Sequence, residues 1–234
     1  MLNTLNEKIK KSLVDHLSQF VTPNRQRLIS NALDKRTNYL TVVLEDIYQS
    51  QNASAVLRTC DCLGIQNIHV IENKNEYTIN PDVALGSTKW IDINHYNEPE
   101  TKNHLECIKG LKAKGFKIVA TMPNENDLSL WDLDVEKGPY AFVFGNEKDG
   151  ISPETAEQAD HFVTIPMFGF TESYNISVSA AIILSQVIKD LNQKKVNYTF
   201  DDKQKLDTQL QWFINHIKQG DKIANTFLKA NFTQ

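Results

Sequence analysis

Apolar positions recur along this chain at two different periods. Near the N-terminus Leu5, Ile9, Leu13, Leu17 and Phe20 fall three or four residues apart, the repeat of an amphipathic helix. Helical patterns continue as far as Thr37. The stretch YLTVVLEDI (residues 39–47) is then rich in β-branched and large apolar residues, which predicts a buried strand. NIHVIE, WIDINHY, FKIVATM, PYAFVFGNE and HFVTIP predict five more strands. Between them NASAVLRTCDCLG and NHLECIKGLKAKG read as helices stopped by Gly64 and Gly115. Ser152 and Pro153 open SPETAEQA as a cap and a first helical residue, and ISVSAAIILSQVIKDL is a long helix. Residues 75–90 are mixed, with Gly86-Ser87-Thr88 expected to be a loop. Beyond Val196 the chain turns polar, and then Leu206, Leu210, Phe213, Ile214 and Ile217 mark a C-terminal helical extension.

Strands that alternate with helices and are apolar on both faces predict an α/β fold. The sheet should be mostly parallel, with helices on both faces. The expected organisation is an N-terminal helical extension over residues 1–37, a central domain over 38–195 and a C-terminal helical extension over 196–234.

Composition adds little to this outline. The 234 residues are 41% hydrophobic and 23% charged, ordinary for a globular protein. No apolar run approaches the roughly 18 residues of a membrane span, and the first twenty residues lack the apolar centre of a signal peptide. The expectation is a cytoplasmic protein with no membrane partner. Cys60, Cys62 and Cys107 suit a reducing compartment. No second Cys/His pair with ligand spacing accompanies Cys60 and Cys62, so no metal is expected.

Charge changes the picture more. The net value of −4 pulls against a nucleic-acid partner. Yet Lys8, Lys10, Lys11, Arg25, Arg27, Lys35 and Arg36 gather before the first strand. Such a cluster is either a solvated helix face or a local phosphate-binding surface.

Ligands of open α/β sheets collect beyond the carboxyl ends of strands, and three loops leaving such ends carry unusual polar residues. One follows TVVLEDI and reaches Asn52 and Arg58. The second is FGNEKDG, with Gly145, Glu147 and Gly150. The third is the polar TESYN, set inside IPMFGFTESYNISVSAAIIL between two segments that read as buried. Taken singly, each has a plain explanation. Asn52 could cap a helix, the glycines could serve turns, and Ser177 and Ser179 could permit close helix packing. Neither the dinucleotide fingerprint G-x-G-x-x-G nor a G-x-x-x-x-G-K phosphate loop is present.

Together, NASAVLRTCDCLG, VFGNEKDGIS and IPMFGFTESYNISVSAAIIL resemble, in order, the motifs of the SPOUT class of S-adenosylmethionine-dependent RNA methyltransferases, in its SpoU/TrmH branch. The resemblance covers roughly Arg25 to Leu191. Within the branch, TVVLEDIYQSQNASAVLRTCDCLGI and the basic lead NRQRLISNALDKRT are most similar to the tRNA guanosine-18 2′-O-methyltransferases. Ser50 and Gln51 depart from the Pro-His common in that subgroup.

The resemblance implies a deep trefoil knot in the C-terminal part of the domain, with loops at ATMPNEN, FGNEKDG and MFGFTESYN packed around the methyl donor. A polar loop between buried segments then has a use. It implies S-adenosyl-L-methionine held near Thr121, Phe144, Gly145, Ile165 and Tyr174, largely by backbone groups. It implies a catalytic set of Arg58, Asn52, Glu147, Asn175 and Ser177, with Arg58 at the ribose 2′-hydroxyl as base or as electrostatic stabiliser. Arg25, Arg27, Lys35 and Arg36 would contact tRNA phosphates, and the protein would be a homodimer with its site at the interface. A ribosomal RNA methyltransferase of the same branch, or a non-catalytic RNA-binding protein on the same fold, are the alternatives.

Overall fold

The computed structural model describes residues 5–122 and 128–232; residues 123–126 of the ATMPNEN loop lie outside them. The chain divides into two compact units. One is Thr37–Tyr198, and the other joins the residues up to Arg36 with those from Thr199 onward. The two helical extensions, read from the sequence as separate segments, thus share one unit.

The larger unit is built on seven strands: β1 (Leu40–Glu45), β2 (Asn67–Ile71), β3 (Asp92–Tyr96), β4 (Lys117–Thr121), β5 (Leu128–Ser129), β6 (Tyr140–Phe144) and β7 (His161–Thr164). They form one sheet in the order β3-β2-β1-β6-β4-β7-β5, and every pairing is parallel. Six strands are those the hydrophobic pattern predicts. β5 is two residues long, too short to carry a period.

Successive side chains of a strand point to opposite faces, and this sorts the core into two layers. Leu40, Val42 and Leu44 of β1 and Tyr140, Phe142 and Phe144 of β6 pack with α3 (Ser50–Cys62) and α7 (Ile176–Gln193). Val43, Ala141, Val143, Ile118 and Ala120 face the other way, against Cys107, Ile108 and Leu111 of α5 (Asn103–Ala113). Every residue of β1 and β6 is buried, which is why their sequences are largely apolar without alternation. β3 departs from the expectation of strands buried on both faces: its residues are exposed or half-buried, because it ends the sheet. Residues 75–90 are more ordered than expected, with α4 (Pro81–Ala84) and a 3-10 turn at Ser87–Lys89. Gly86 joins the two with φ +82°, a left-handed conformation that favours glycine. The short α6 (Pro153–Ala156) opens as predicted, with Ser152 accepting from the Thr155 N–H.

The smaller unit packs α1 (Glu7–Ser18), α2 (Pro23–Leu33), α8 (Asp202–His216) and α9 (Gly220–Phe232). Leu13 and Leu17 are buried as the spacing predicts, but Phe20 lies beyond the end of α1 and is 52% exposed. Lys10 is buried instead, its ammonium 2.6 Å from the Asp207 carboxylate of α8. Such a pair is a common way to keep a lysine inside. Leu206, Leu210, Phe213 and Ile214 line the buried side of α8. The unit holds twelve Lys and Arg against seven Asp and Glu, whereas Thr37–Tyr198 holds thirteen against twenty-two. Among the described residues no helix is long and apolar enough to cross a membrane.

Candidate active site

β6 lies between β1 and β4, while β2 and β3 extend the sheet on the far side of β1. The carboxyl ends of β1 and β6 therefore flank the point where strand order reverses, the usual place for a ligand in an open α/β sheet. β1 ends in an acidic pair that organises this point. Glu45 is buried and accepts from Ser152 Oγ (2.5 Å) and Thr155 Oγ1 (2.9 Å). Asp46 takes φ +52°. Its Oδ1 accepts from the N–H groups of Asn73 and Lys74 (2.7 and 2.6 Å), and its carbonyl accepts from Asn146 Nδ2 at 2.7 Å. Asn146 in turn exchanges two 2.9 Å backbone hydrogen bonds with Gly150. The turn of residues 146–150 is thereby closed on itself and suspended from β1.

Gly145, just before that turn, admits no side chain. A Cβ there would stand 2.2 Å from the Gly150 carbonyl carbon and 2.3 Å from the Ile151 nitrogen. Both obstacles are backbone and cannot rotate away.

Glu147 leaves the turn toward the start of α3. Its carboxylate accepts from the N–H groups of Tyr48 (3.0 Å) and Gln49 (3.2 Å) and from Asn52 Nδ2 (2.8 Å). An anion at a helix N-terminus satisfies donors that the helix cannot. Asn52 is not the helix cap: Gln49 holds that position without a side-chain bond, and Asn52 lies buried within the first turn. Asn52 Oδ1 accepts from Asn175 Nδ2 at 3.1 Å. Asn175 is the N-cap of α7, and its Oδ1 accepts from the N–H and Oγ of Ser177 (2.9 and 2.7 Å). One chain of hydrogen bonds thus runs Glu147–Asn52–Asn175–Ser177 and ties together the three polar loops.

Burial pushes the Glu147 carboxyl up. The hydrogen bonds from Asn52 and from the backbone of Tyr48 and Gln49 outweigh it and hold the group below the ordinary glutamate value. A depressed carboxylate adds stability that is complete above the unfolded value and is lost as pH falls through the folded one. The difference in melting temperature between the wild type and Glu147→Gln should therefore stay constant from neutral pH down to about pH 4.3. It should shrink in more acid solution. Melting curves across that range check this, and a difference that instead vanished near pH 6 would contradict it.

Thr121, Phe144, Gly145 and Tyr174 line a cavity of about 510 Å³, together with Asn52, Glu147, Asn175, Gln49, Asn146 and Lys148. A narrower recess of about 60 Å³ shares Thr121 and Tyr174 and is lined by Ile165. All five residues assigned to the cofactor thus lie on adjoining space. Four of the five assigned to catalysis are joined by hydrogen bonds. Arg58, the fifth, is exposed and does not line the cavity. It lies six residues after Asn52 on α3, about 120° from it around the helix axis.

In the smaller unit Arg27 and Lys35 are exposed and Arg25 is half-buried. Arg36 needs correction as a phosphate contact. It is only 3% exposed, and its guanidinium lies over the Trp212 ring, 5.0 Å from the centroid, a cation–π arrangement within the unit. Cys60 and Cys107 are buried and Cys62 is exposed. The sequence reading missed Glu45 and Asp46, whose signal was an acidic pair directly after a buried strand, and Asn146 and Lys148, which stood inside a motif already noticed.

The chain resembles proteins of established class. Residues 39–185, more than half of its length, match the SpoU rRNA Methylase family. It is 43% identical over 209 residues to the tRNA (guanosine(18)-2′-O)-methyltransferase of Borreliella burgdorferi, covering 89% of this chain and 93% of that one. The enzyme of the same name from Thermus thermophilus is 33% identical, over 81% of this chain and 92% of its own. In three dimensions the TrmH/SpoU tRNA modifying enzyme of A. aeolicus superposes with a TM-score of 0.74 at 29% identity. That match covers 83% of this chain and 98% of the other. With the motif loops closed on one cavity and more than half its length matched, this chain belongs to the SpoU/TrmH family of methyltransferases.

Proposed function

We propose that the protein is an S-adenosyl-L-methionine-dependent tRNA ribose 2′-O-methyltransferase that acts at guanosine 18. The observation that carries this reading is the Glu147–Asn52–Asn175 network closing on a single cavity. The substrate follows from the relatives, whose names specify it.

The cavity suits the donor. Its volume lies in the range of small-molecule sites, about 300–1,000 Å³. Phe144 and Ile165 offer apolar surface for a base, and the glycine at position 145 keeps backbone groups accessible. When bound, the donor supplies an electrophilic methyl group on a sulfonium that leaves as a neutral thioether. The protein then has to place the ribose oxygen in line and deal with its proton. Asn52 and Asn175, locked by Glu147, orient groups at the rim. Arg58 stabilises charge developing on the 2′-oxygen; a guanidinium, being always protonated, is a poor base.

Arg58 and the cavity do not meet within one protomer, so we assign the active form as a homodimer in which the partner subunit's Arg58 completes the site. Phe168 and Phe170 are 99% and 108% exposed, and Val178 is also exposed. Exposed apolar groups in this loop and on the adjoining first turn of α7 favour a covering partner. The insertion of β6 between β1 and β4 supports the trefoil knot of this family. Arg25, Arg27 and Lys35 face tRNA phosphates from the basic helical unit.

The test is to supply tRNA and ribosomal RNA transcripts with methyl-labelled donor and map the product by nuclease digestion. Label at guanosine 18, and none on a transcript with 2′-deoxyguanosine there, is the expected result. Label confined to ribosomal RNA would overturn the substrate, and no label on either RNA would overturn the activity.

A further inference from the structure

Lys148 stands out among the cavity's residues. Of the described side chains that line the cavity and its recess, it is the one cation. Its backbone is fixed, because its N–H donates to Asn146 Oδ1 at 2.9 Å within the closed turn. Its acidic neighbours are already engaged. Glu147 accepts three N–H donors, and Asp149 lies 3.7 Å from the Lys74 ammonium. Among the described residues no carboxylate lies within ion-pair distance of the Lys148 ammonium. A lysine held by its backbone at the rim of a cavity, with its charge uncommitted, is suited to meet an anion on a ligand.

We propose that Lys148 is an anion-binding residue of this site. The oxyanion it takes is either the carboxylate at the amino-acid end of the methyl donor or a phosphate of the RNA strand laid across the rim. The proposal rests on the function given above, and the two can fail separately. The functional reading fails in the wild type, whereas this one fails only in a comparison of wild type with variants.

S-adenosylhomocysteine, and the same thioether lacking its carboxylate, are titrated calorimetrically into wild type, Lys148→Ala and Lys148→Arg. Binding of tRNA is measured alongside as a function of salt. Lys148 is exposed, so melting temperatures should be unchanged and serve as the control for folding. If the anion is the donor's carboxylate, Lys148→Ala binds S-adenosylhomocysteine about tenfold more weakly. It then binds the decarboxylated analogue as the wild type does, and Lys148→Arg recovers most of the loss. If the anion is an RNA phosphate, both thioethers bind unchanged. In that case tRNA binding weakens and its salt slope falls by about one. Either result supports the assignment and identifies the ligand. Unchanged affinity for both thioethers together with an unchanged tRNA salt slope overturns it.

Discussion

Gly145→Ala is expected to lose donor binding altogether and to melt well below the wild type. The added Cβ would lie 2.2 Å from the Gly150 carbonyl carbon and 2.3 Å from both the Gly150 oxygen and the Ile151 nitrogen. Overpacking typically costs about 1–3 kcal/mol when side chains can adjust. Here the obstacles are backbone atoms of a turn held by two hydrogen bonds between Asn146 and Gly150, so the upper end is expected. Relief requires the turn to swing outward, and that carries Asn146 and Glu147 with it. The same movement would open the cavity and withdraw the carboxylate from the start of α3. Thermal unfolding and calorimetry with S-adenosylhomocysteine read the two effects. Wild-type affinity in a well-folded Gly145→Ala protein would mean that the turn is not a rigid wall of the site.

Arg58→Ala should behave in the opposite way: normal folding, normal donor binding and almost no methylation. Arg58 is exposed, so truncation removes little packing. Loss of a charge-stabilising donor at a developing oxyanion costs about a hundred- to a thousandfold in rate. Because Arg58 and the cavity do not meet in one protomer, the two defects should also complement. In the proposed homodimer, mixed pairs of Arg58→Ala with Gly145→Ala contain one intact combination of cavity and arginine, and some activity should return. Rate measurements on the separate and the co-expressed variants decide this. Full activity of Arg58→Ala alone would remove the residue from the chemistry, and absence of rescue would place the arginine and the cavity in the same subunit's work.

The contrast between these two residues shows what the sequence could and could not tell. Strands such as LTVVLE and YAFVF were legible because burial on both faces leaves a run of apolar residues. The three polar loops were legible because polar residues between buried elements need a reason. Strand order was not legible: nothing local to β6 records that it lies between β1 and β4. Asn52 illustrates a subtler limit. Its position near the start of a helix suggested a cap, yet its partners are Glu147, 95 residues away, and Asn175, 123 residues away. Arg36 failed for a similar reason. Lys35 beside it is basic and exposed, but the Arg36 guanidinium itself lies over the Trp212 ring. Glu45 and Asp46 were passed over because the side-chain and backbone groups they hold belong to distant loops.

The uneven distribution of acidic and basic residues between the two units has a kinetic corollary. An approaching polyanion is attracted by the helical unit and repelled by the larger one. A compact strand presenting one segment to the basic helices can stay. The acidic excess of the larger unit would then favour release of any polyanion that the helical unit holds only weakly.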